Sequence, residues 1–281
     1  MILFDRYPEG KKYACTFSYD DGCKQDRRLV ELFNKYGMKC TFNMFSGSMM
    51  SDSGEGIKMR ELSTLFAGHE IAAHAHNHPH LERMPLAAQY DQIIKDRQLL
   101  EPHYGKIIRG LAYPFGTYSE VTFTAMKTAG IVYGRIATAN PSTFAPPATD
   151  REFLTWTPTT HHNESALPVK RFLYNVEKAP WRAGGLLYIW GHAYEFDNPA
   201  SPVHWEEFEE ILKQLASHKD NIWFATNIEV YDYIKATQAI RTSANGKMLY
   251  NPTDTDVWVS NGDVDIKIPA AQSVTVDGGI L

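Results

Sequence analysis

A chain of 281 residues, 43% hydrophobic and 22% charged, can bury one large core, and its longest apolar runs are too short to span a bilayer. The formal net charge is −5, from 28 Lys and Arg against 33 Asp and Glu, and no basic block stands out. This argues against nucleic acid or an anionic membrane as partner, since both require clustered cations. The opening MILFDRYPEGKK has Asp5 near its start and no apolar segment leading to a cleavage site, so a cytoplasmic protein is expected. Cys15, Cys23 and Cys40 form neither a disulfide framework nor a CxxC pair and read as reduced structural thiols. Cys23 is close enough to Asp21 in sequence to sit near a site.

Short apolar strands alternate with amphipathic helices along the chain, which predicts a parallel sheet with helices outside. Strands are expected over residues 13–19, 39–45 and 69–73, with helices over 25–36, closed by Gly37, and 58–66, ended by Gly68. A helix over 86–100 follows, then a strand over 109–113, a helix over 119–128 before Gly130, and a strand over 131–136. Residues 141–148 are a proline-rich loop leading to a short strand near Phe153. A strand over 186–190, a helix over 205–217 and a strand over 222–225 come next, and residues 228–236 close the alternation. The period then changes: KMLYN, DVWVS, DVDIKI and SVTVD are β-like runs broken by Asn, Gly, Asp and Pro. The expected division is an α/β unit over 1–240, a distorted (β/α) barrel of seven or eight units, and a small β appendage over 245–281. The appendage is a packing lid, an oligomer contact or a carbohydrate-binding element.

Ionisable residues gather at predicted strand ends. Asp20 and Asp21 end the first strand, His74 and His78 follow the third, and His192 follows the strand before last. In β/α barrels such positions converge on one face, where catalysis occurs. The step from His74 to His78 suits one helical turn, or a turn-like loop stopped by Pro79. Imidazole nitrogens with one carboxylate suit a catalytic divalent metal, zinc first, with cobalt, nickel, manganese or iron also accepted. Adjacent carboxylates repel unless a cation or proton offsets them.

TFSYDDG at residues 16–22, GHEIAAHAHNHPHL at 68–81, AYPFG at 112–116 and LLYIWGH at 186–192 resemble four motifs of the polysaccharide deacetylases, the NodB-homology carbohydrate esterases of family 4. The resemblance spans about residues 12–237. It implies a metal-dependent deacetylase in which Asp21, His74 and His78 hold the metal and Asp20 is the general base. It further implies that the backbone N–H of Phe115 helps hold the oxyanion and that His192 is the general acid; Glu195 and Asp197 lie close enough in sequence to orient its ring. Tyr113, Pro114, Trp156, His161 and Trp190 are the expected substrate contacts.

Two departures matter. Ala112 stands where the third motif carries an arginine that pairs with the base, and Arg135 at the end of the next strand is the candidate replacement. The fourth motif is poorly matched by PATDREFLTWTPTTHH, where His161 and His162 lie just beyond the expected place. The resulting expectation is removal of an N- or O-acetyl group from a sugar or sugar-like molecule. The alternatives are another metal-assisted C–N hydrolysis on a small amide, ureide or imide, and a metal- or glycan-binding protein without turnover.

Overall fold

The computed structural model describes residues 1–50, 54–179, 184–262 and 264–276. A two-residue strand β1 (Ile2–Leu3) precedes β2 (Tyr13–Asp20), whose YACTFSYD sequence is buried at all eight positions, the signature of a strand covered on both faces. The alternation continues as α1 (Asp26–Lys35), β3 (Thr41–Met44), α2 (Leu62–Leu65), β4 (Glu70–Ala73) and α3 (Leu86–Tyr104). It proceeds through β5 (Gly110–Ala112), α4 (Glu120–Thr128), β6 (Tyr133–Arg135), α5 (Asp150–Leu154) and β7 (Thr160–His161). It ends with α6 (Ala166–Lys178), β8 (Gly185–His192), α7 (Trp205–Ala216), β9 (Ile222–Phe224) and α8 (Asn227–Ala239).

Strands β2 to β9 form one parallel sheet ordered β6-β5-β4-β3-β2-β8-β7, with β9 paired to the first half of β2. The two ends of that path meet at a single parallel bridge between Arg135 and Trp156, just ahead of β7. Eight βα units thus curl into the distorted barrel expected from the alternation. Helices cover it with their apolar stripes. On α7, Trp205, Phe208, Ile211, Leu212 and Leu215 face inward at helical spacing, and burying each such side chain contributes about 2 kcal/mol.

The region after β6 departs from expectation. Phe153 lies in helix α5, not a strand: Thr149 caps it by accepting from the Glu152 N–H, and the Glu152 carboxylate accepts from Thr149 N–H in return. Two further elements, β7 and α6, lie in a stretch to which the sequence reading assigned none.

Beyond α8 come β10 (Arg241–Thr242), β11 (Met248–Tyr250), β12 (Val257–Asn261), β13 (Val264–Ile268) and β14 (Ser273–Thr275). They make two three-stranded sheets, β10-β11-β14 and β1-β12-β13, around a small core of Ile2, Leu249, Val259, Ile268 and Val276. Residues 2–3 therefore pair with the appendage rather than the barrel to which the sequence division assigned them. Residue 263 and residues 277–281 of the expected appendage lie outside the described residues. The appendage is tied to the barrel by Tyr233 of α8, whose hydroxyl donates to the Arg6 carbonyl (2.9 Å) and accepts from Trp258 N–H (3.1 Å). Among the described residues, no helix is long and apolar enough to cross a membrane.

Candidate active site

The carboxyl ends of the strands carry the site. Across three neighbouring strands, Asn43, Asp20 and His192 stand in one register row, so their side chains share a level. Asn43 Nδ2 donates to Asp20 Oδ1 at 2.8 Å, and Asp20 Oδ2 lies 4.0 Å from His192 Nε2 and 3.9 Å from His74 Nε2. Arg135 Nη2 closes an ion pair on the same Oδ2, and both side chains are buried. Parallel register explains how it gets there: Arg135 on β6 pairs with Ala112 on β5, so a guanidinium one strand over stands at the level of position 112. The guanidinium also stacks over the Trp190 ring, 4.4 Å from its centroid.

Asp21 turns the chain at φ +80°, and its Oδ1 lies 3.6 Å from His74 Nε2 and 3.8 Å from His78 Nε2. The two Nε2 atoms are 3.1 Å apart. His74 Nδ1 donates to the Ala112 carbonyl at 2.7 Å, which places its proton there and leaves the Nε2 lone pair facing Asp21 and His78. Lone pairs directed at one point beside a carboxylate need a proton or a cation between them, and this donor set fits a divalent transition metal. One ligand atom from each of Asp21, His74 and His78 falls within 4.8 Å of the others. His78 is reached by a turn, not a helix: His78 N–H donates to the Ala75 carbonyl, with Ala75 at φ +60° and His78 at φ +53°.

Backbone strain concentrates here. Among the described residues, six non-glycine residues have positive φ, and four of them, Asp21, Ala75, His78 and Phe115, lie in the turns that form this mouth, as happens where surrounding structure holds a functional geometry. Gly47 lets a neighbouring loop come close: its N–H donates to the His76 carbonyl, and a Cβ there would meet that oxygen at 2.3 Å.

Two supporting residues went unnoticed in the sequence. Asn43 holds Asp20. Asp96 on α3, fully buried, accepts from Ser46 N–H (2.6 Å) and His74 N–H (2.9 Å), fixing the loop that carries the histidines. The signal was present: Gln89, Ile93, Asp96, Leu100 and Tyr104 form the inward stripe of α3, and a carboxylate on such a stripe needs donors to be tolerated. Burial pushes Asp96 up to about 6 against those hydrogen bonds.

Burial would raise the Asp20 carboxyl, but Arg135, His74 and His192 outweigh it and hold it below the usual aspartate value. His192 is affected in the opposite sense. Burial lowers it, while contact with Glu195 and the charges of Asp20 and Asp21 leave it raised above an ordinary histidine.

Residues 7–134 match the family model for polysaccharide deacetylase. This segment is similar to the polysaccharide deacetylases. A peptidoglycan deacetylase from Helicobacter pylori is 30% identical over 107 residues, 38% of this chain and 34% of the relative, so the chain spans about a third of that protein's length. Solved structures share the fold at low identity. A family 4 acetyl xylan esterase from Clostridium thermocellum, in complex with cobalt, has a TM-score of 0.51 at 17% identity, covering 78% of this chain and 90% of that one. A mutant peptidoglycan deacetylase from Bacillus subtilis has a TM-score of 0.51 at 16% identity, covering 80% and 93%. A family 4 pseudoenzyme from Bacillus anthracis has the same score at 13% identity, covering 79% and 66%.

Of the expected site residues, Asp20, Asp21, His74, His78 and His192 come together at the mouth with Arg135, the candidate replacement for the arginine that position 112 lacks. Phe115 is 56% exposed, and its ring closes one wall against His78 and His80. Trp190 and His161 are half-buried and in edge contact with each other near His192. Three expected substrate contacts are withdrawn from the surface. Trp156 is buried among Tyr133, Phe153 and Tyr188, Pro114 is buried, and Tyr113 points its hydroxyl at the Leu154 carbonyl (2.6 Å). Asp197 does not reach His192; it accepts from Trp205 and Gln25. Cys23 directs its sulfur to Asp26 at 3.6 Å, and all three cysteines are free thiols.

Proposed function

We propose that this chain is a divalent-metal-dependent deacetylase that removes an N- or O-acetyl group from a sugar or sugar-like substrate. The observation that carries the reading is the convergence of an Asp21, His74 and His78 donor set with a separately braced second aspartate, Asp20, and an opposed histidine, His192. Zinc, cobalt, nickel, manganese or iron suits these donors, and cobalt occupies the clostridial esterase of the same fold. The Helicobacter relative supports an acetylated glycan as the substrate class. When bound, a divalent cation supplies Lewis acidity to the acetyl carbonyl and to water.

The chain's own groups do the rest. Asp20, kept ionised by Arg135 and aimed by Asn43, takes a proton from the attacking water at its carboxylate. The backbone N–H of Phe115, in the strained turn where this residue stands at φ +58°, holds the carbonyl oxygen as negative charge develops there. His192 hands a proton from Nε2 to the departing nitrogen or oxygen, which an amine leaving group requires. Trp190, His161 and the exposed Phe115 ring form the walls against which the substrate packs. The barrel is the catalytic unit in this reading, and the appendage serves packing or contact between copies.

The test is product analysis. Acetate release from N-acetylglucosamine oligomers, acetylated xylan and peptidoglycan is expected, abolished by chelation and restored by added metal. Ammonia or formate release from small amides with no acetate from any glycan would replace the proposal by a different C–N hydrolysis, and metal retained without turnover would make the chain a binding protein.

A further inference from the structure

Glu195 stands three residues after His192 and faces three imidazoles at once. Its Oε1 lies 3.3 Å from His192 Nδ1, and its Oε2 lies 3.1 Å from His161 Nε2 and 3.1 Å from His162 Nε2. Glu195 also accepts from the His192 backbone N–H at 3.3 Å, which locks the turn that carries it.

The histidines are held in turn. His161 ends β7, paired in register with Trp190 on β8, and its Nδ1 accepts from the Asn163 N–H at 3.2 Å. His162 is fully buried, stacked between Tyr19 and Phe196, and Gly191 makes room for it: a Cβ at position 191 would stand 2.0 Å from His162 Nδ1.

The tautomers follow from these partners. A proton cannot sit on His161 Nδ1 while that atom accepts from Asn163, so it sits on Nε2, the atom that faces Glu195. The carboxylate, anchored from that side on Oε2, holds Oε1 3.3 Å from His192 Nδ1; the two are not aligned as a hydrogen bond, but no other acceptor reaches this buried nitrogen, and the carboxylate charge draws the proton of the neutral ring to it. His192 Nε2 then points at the mouth, 4.0 Å from both Asp20 and Asp21.

We infer that Glu195, clamped by His161, is the positioning residue that orients His192 in this chain. The inference rests on the deacetylase reading above. It assigns a use to the histidines of the segment where the fourth motif is poorly matched, and it draws the orienting carboxylate from the loop of His192 itself.

A second metal site is the competing use of the same atoms, because one ligand atom from each of His161, His162 and Glu195 falls within 4.8 Å of the others. A proton on His161 Nε2 makes a hydrogen bond to Glu195 and leaves that nitrogen no lone pair for a cation.

The experiment compares the metal-loaded wild type with Glu195→Ala, Glu195→Gln and His161→Phe on two substrates, an N-acetyl sugar and an aryl acetate whose leaving group needs no proton. Glu195→Ala is expected to lower the ratio of amide to aryl-ester turnover by about 10²-fold, the lower end of what a positioned acid contributes. Glu195→Gln, which retains an acceptor for Nδ1–H, recovers most of that ratio, and His161→Phe lowers it less. Equal losses on both substrates, or an unchanged ratio, overturn the inference. So does a second metal equivalent per chain that disappears with Glu195→Ala.

Nitrogen-15 NMR of the histidine rings in the same samples separates failure of the inference from failure of the deacetylase reading. Should the wild type hydrolyse neither substrate, loss of the His192 Nδ1–H signal in Glu195→Ala still supports the positioning role, and an unchanged tautomer overturns it.

Discussion

Strand β4 has buried ionisable groups near both ends, and they are treated in opposite ways. Glu70 opens the strand, where its carboxyl accepts from the Thr41 hydroxyl (2.8 Å), the Tyr133 hydroxyl (2.8 Å) and Ile228 N–H (2.9 Å). All three donors are neutral, and burial pushes Glu70 up to about 7 in spite of them. At the other end, beside His74, the equally buried Asp20 has one neutral donor in Asn43 and a guanidinium in Arg135, and it stays below the usual value. Neutral donors satisfy a buried carboxylate without securing its charge; a cation in contact does both. The first arrangement knits strands together, whereas the second keeps a carboxylate ionised, as the proposed base requires.

The largest effects should come from breaking the mouth. His74→Ala removes one of three donor atoms, so metal content measured by elemental analysis and acetate release are both expected to collapse. Asp20→Asn leaves the donor set intact and is expected to lower turnover by about 10²- to 10⁴-fold while metal stays bound. Equal metal loss in the two variants would erase the distinction between ligand and base.

Arg135→Met sharpens the comparison directly by turning Asp20 into a buried carboxylate with neutral partners, like Glu70. Removing one partner of a buried pair leaves an uncompensated charge, with an expected loss of about 3–5 kcal/mol in denaturant unfolding. Adding Asp20→Asn to Arg135→Met should return much of that stability, since no charge then remains to be stranded. A single variant as stable as the wild type would mean that the guanidinium is not what keeps Asp20 charged.

The contrast between the two ends also marks what could be read from residues alone. Strand and helix alternation, with glycines such as Gly37 and Gly68 at positive φ after helices, was legible because it is local. The convergence of Asp21, His74 and His78 was legible because Asp21 and His74 directly follow strands and His78 lies in the loop that His74 begins. The α5 helix was missed although TDRE at residues 149–152 has the spacing of a capping box, and α6 although Val169, Phe172 and Leu173 repeat at helical spacing. The burial of Trp156 and Tyr113 was not legible, since an aromatic near a strand end is a wall or a core depending on which way the strand faces. Arg135 as a replacement for the missing arginine was legible from its place at the end of the next strand, whereas the register that sets it level with Ala112 is encoded by no local pattern.

The smallest effect belongs to Glu70, and its sign separates the two ends of β4. Below about 4.5, the ordinary value, both the folded and unfolded chain hold this proton; between about 4.5 and 7 the unfolded chain has released it while the folded chain keeps it. Glu70 therefore makes stability fall as pH rises through that window, by about 3 kcal/mol in all, and adds no further slope above it. Glu70→Gln cannot titrate, so the difference in unfolding free energy between wild type and variant should shrink or grow steadily from pH 4.5 to 7, always in the direction that favours the variant as pH rises. Other buried groups, Asp96 among them, titrate alike in both proteins and cancel in that difference. A pH-independent difference would show that Glu70 remains charged in the folded chain throughout the window, and the three neutral donors would then be doing at this end of the strand what Arg135 does at the other.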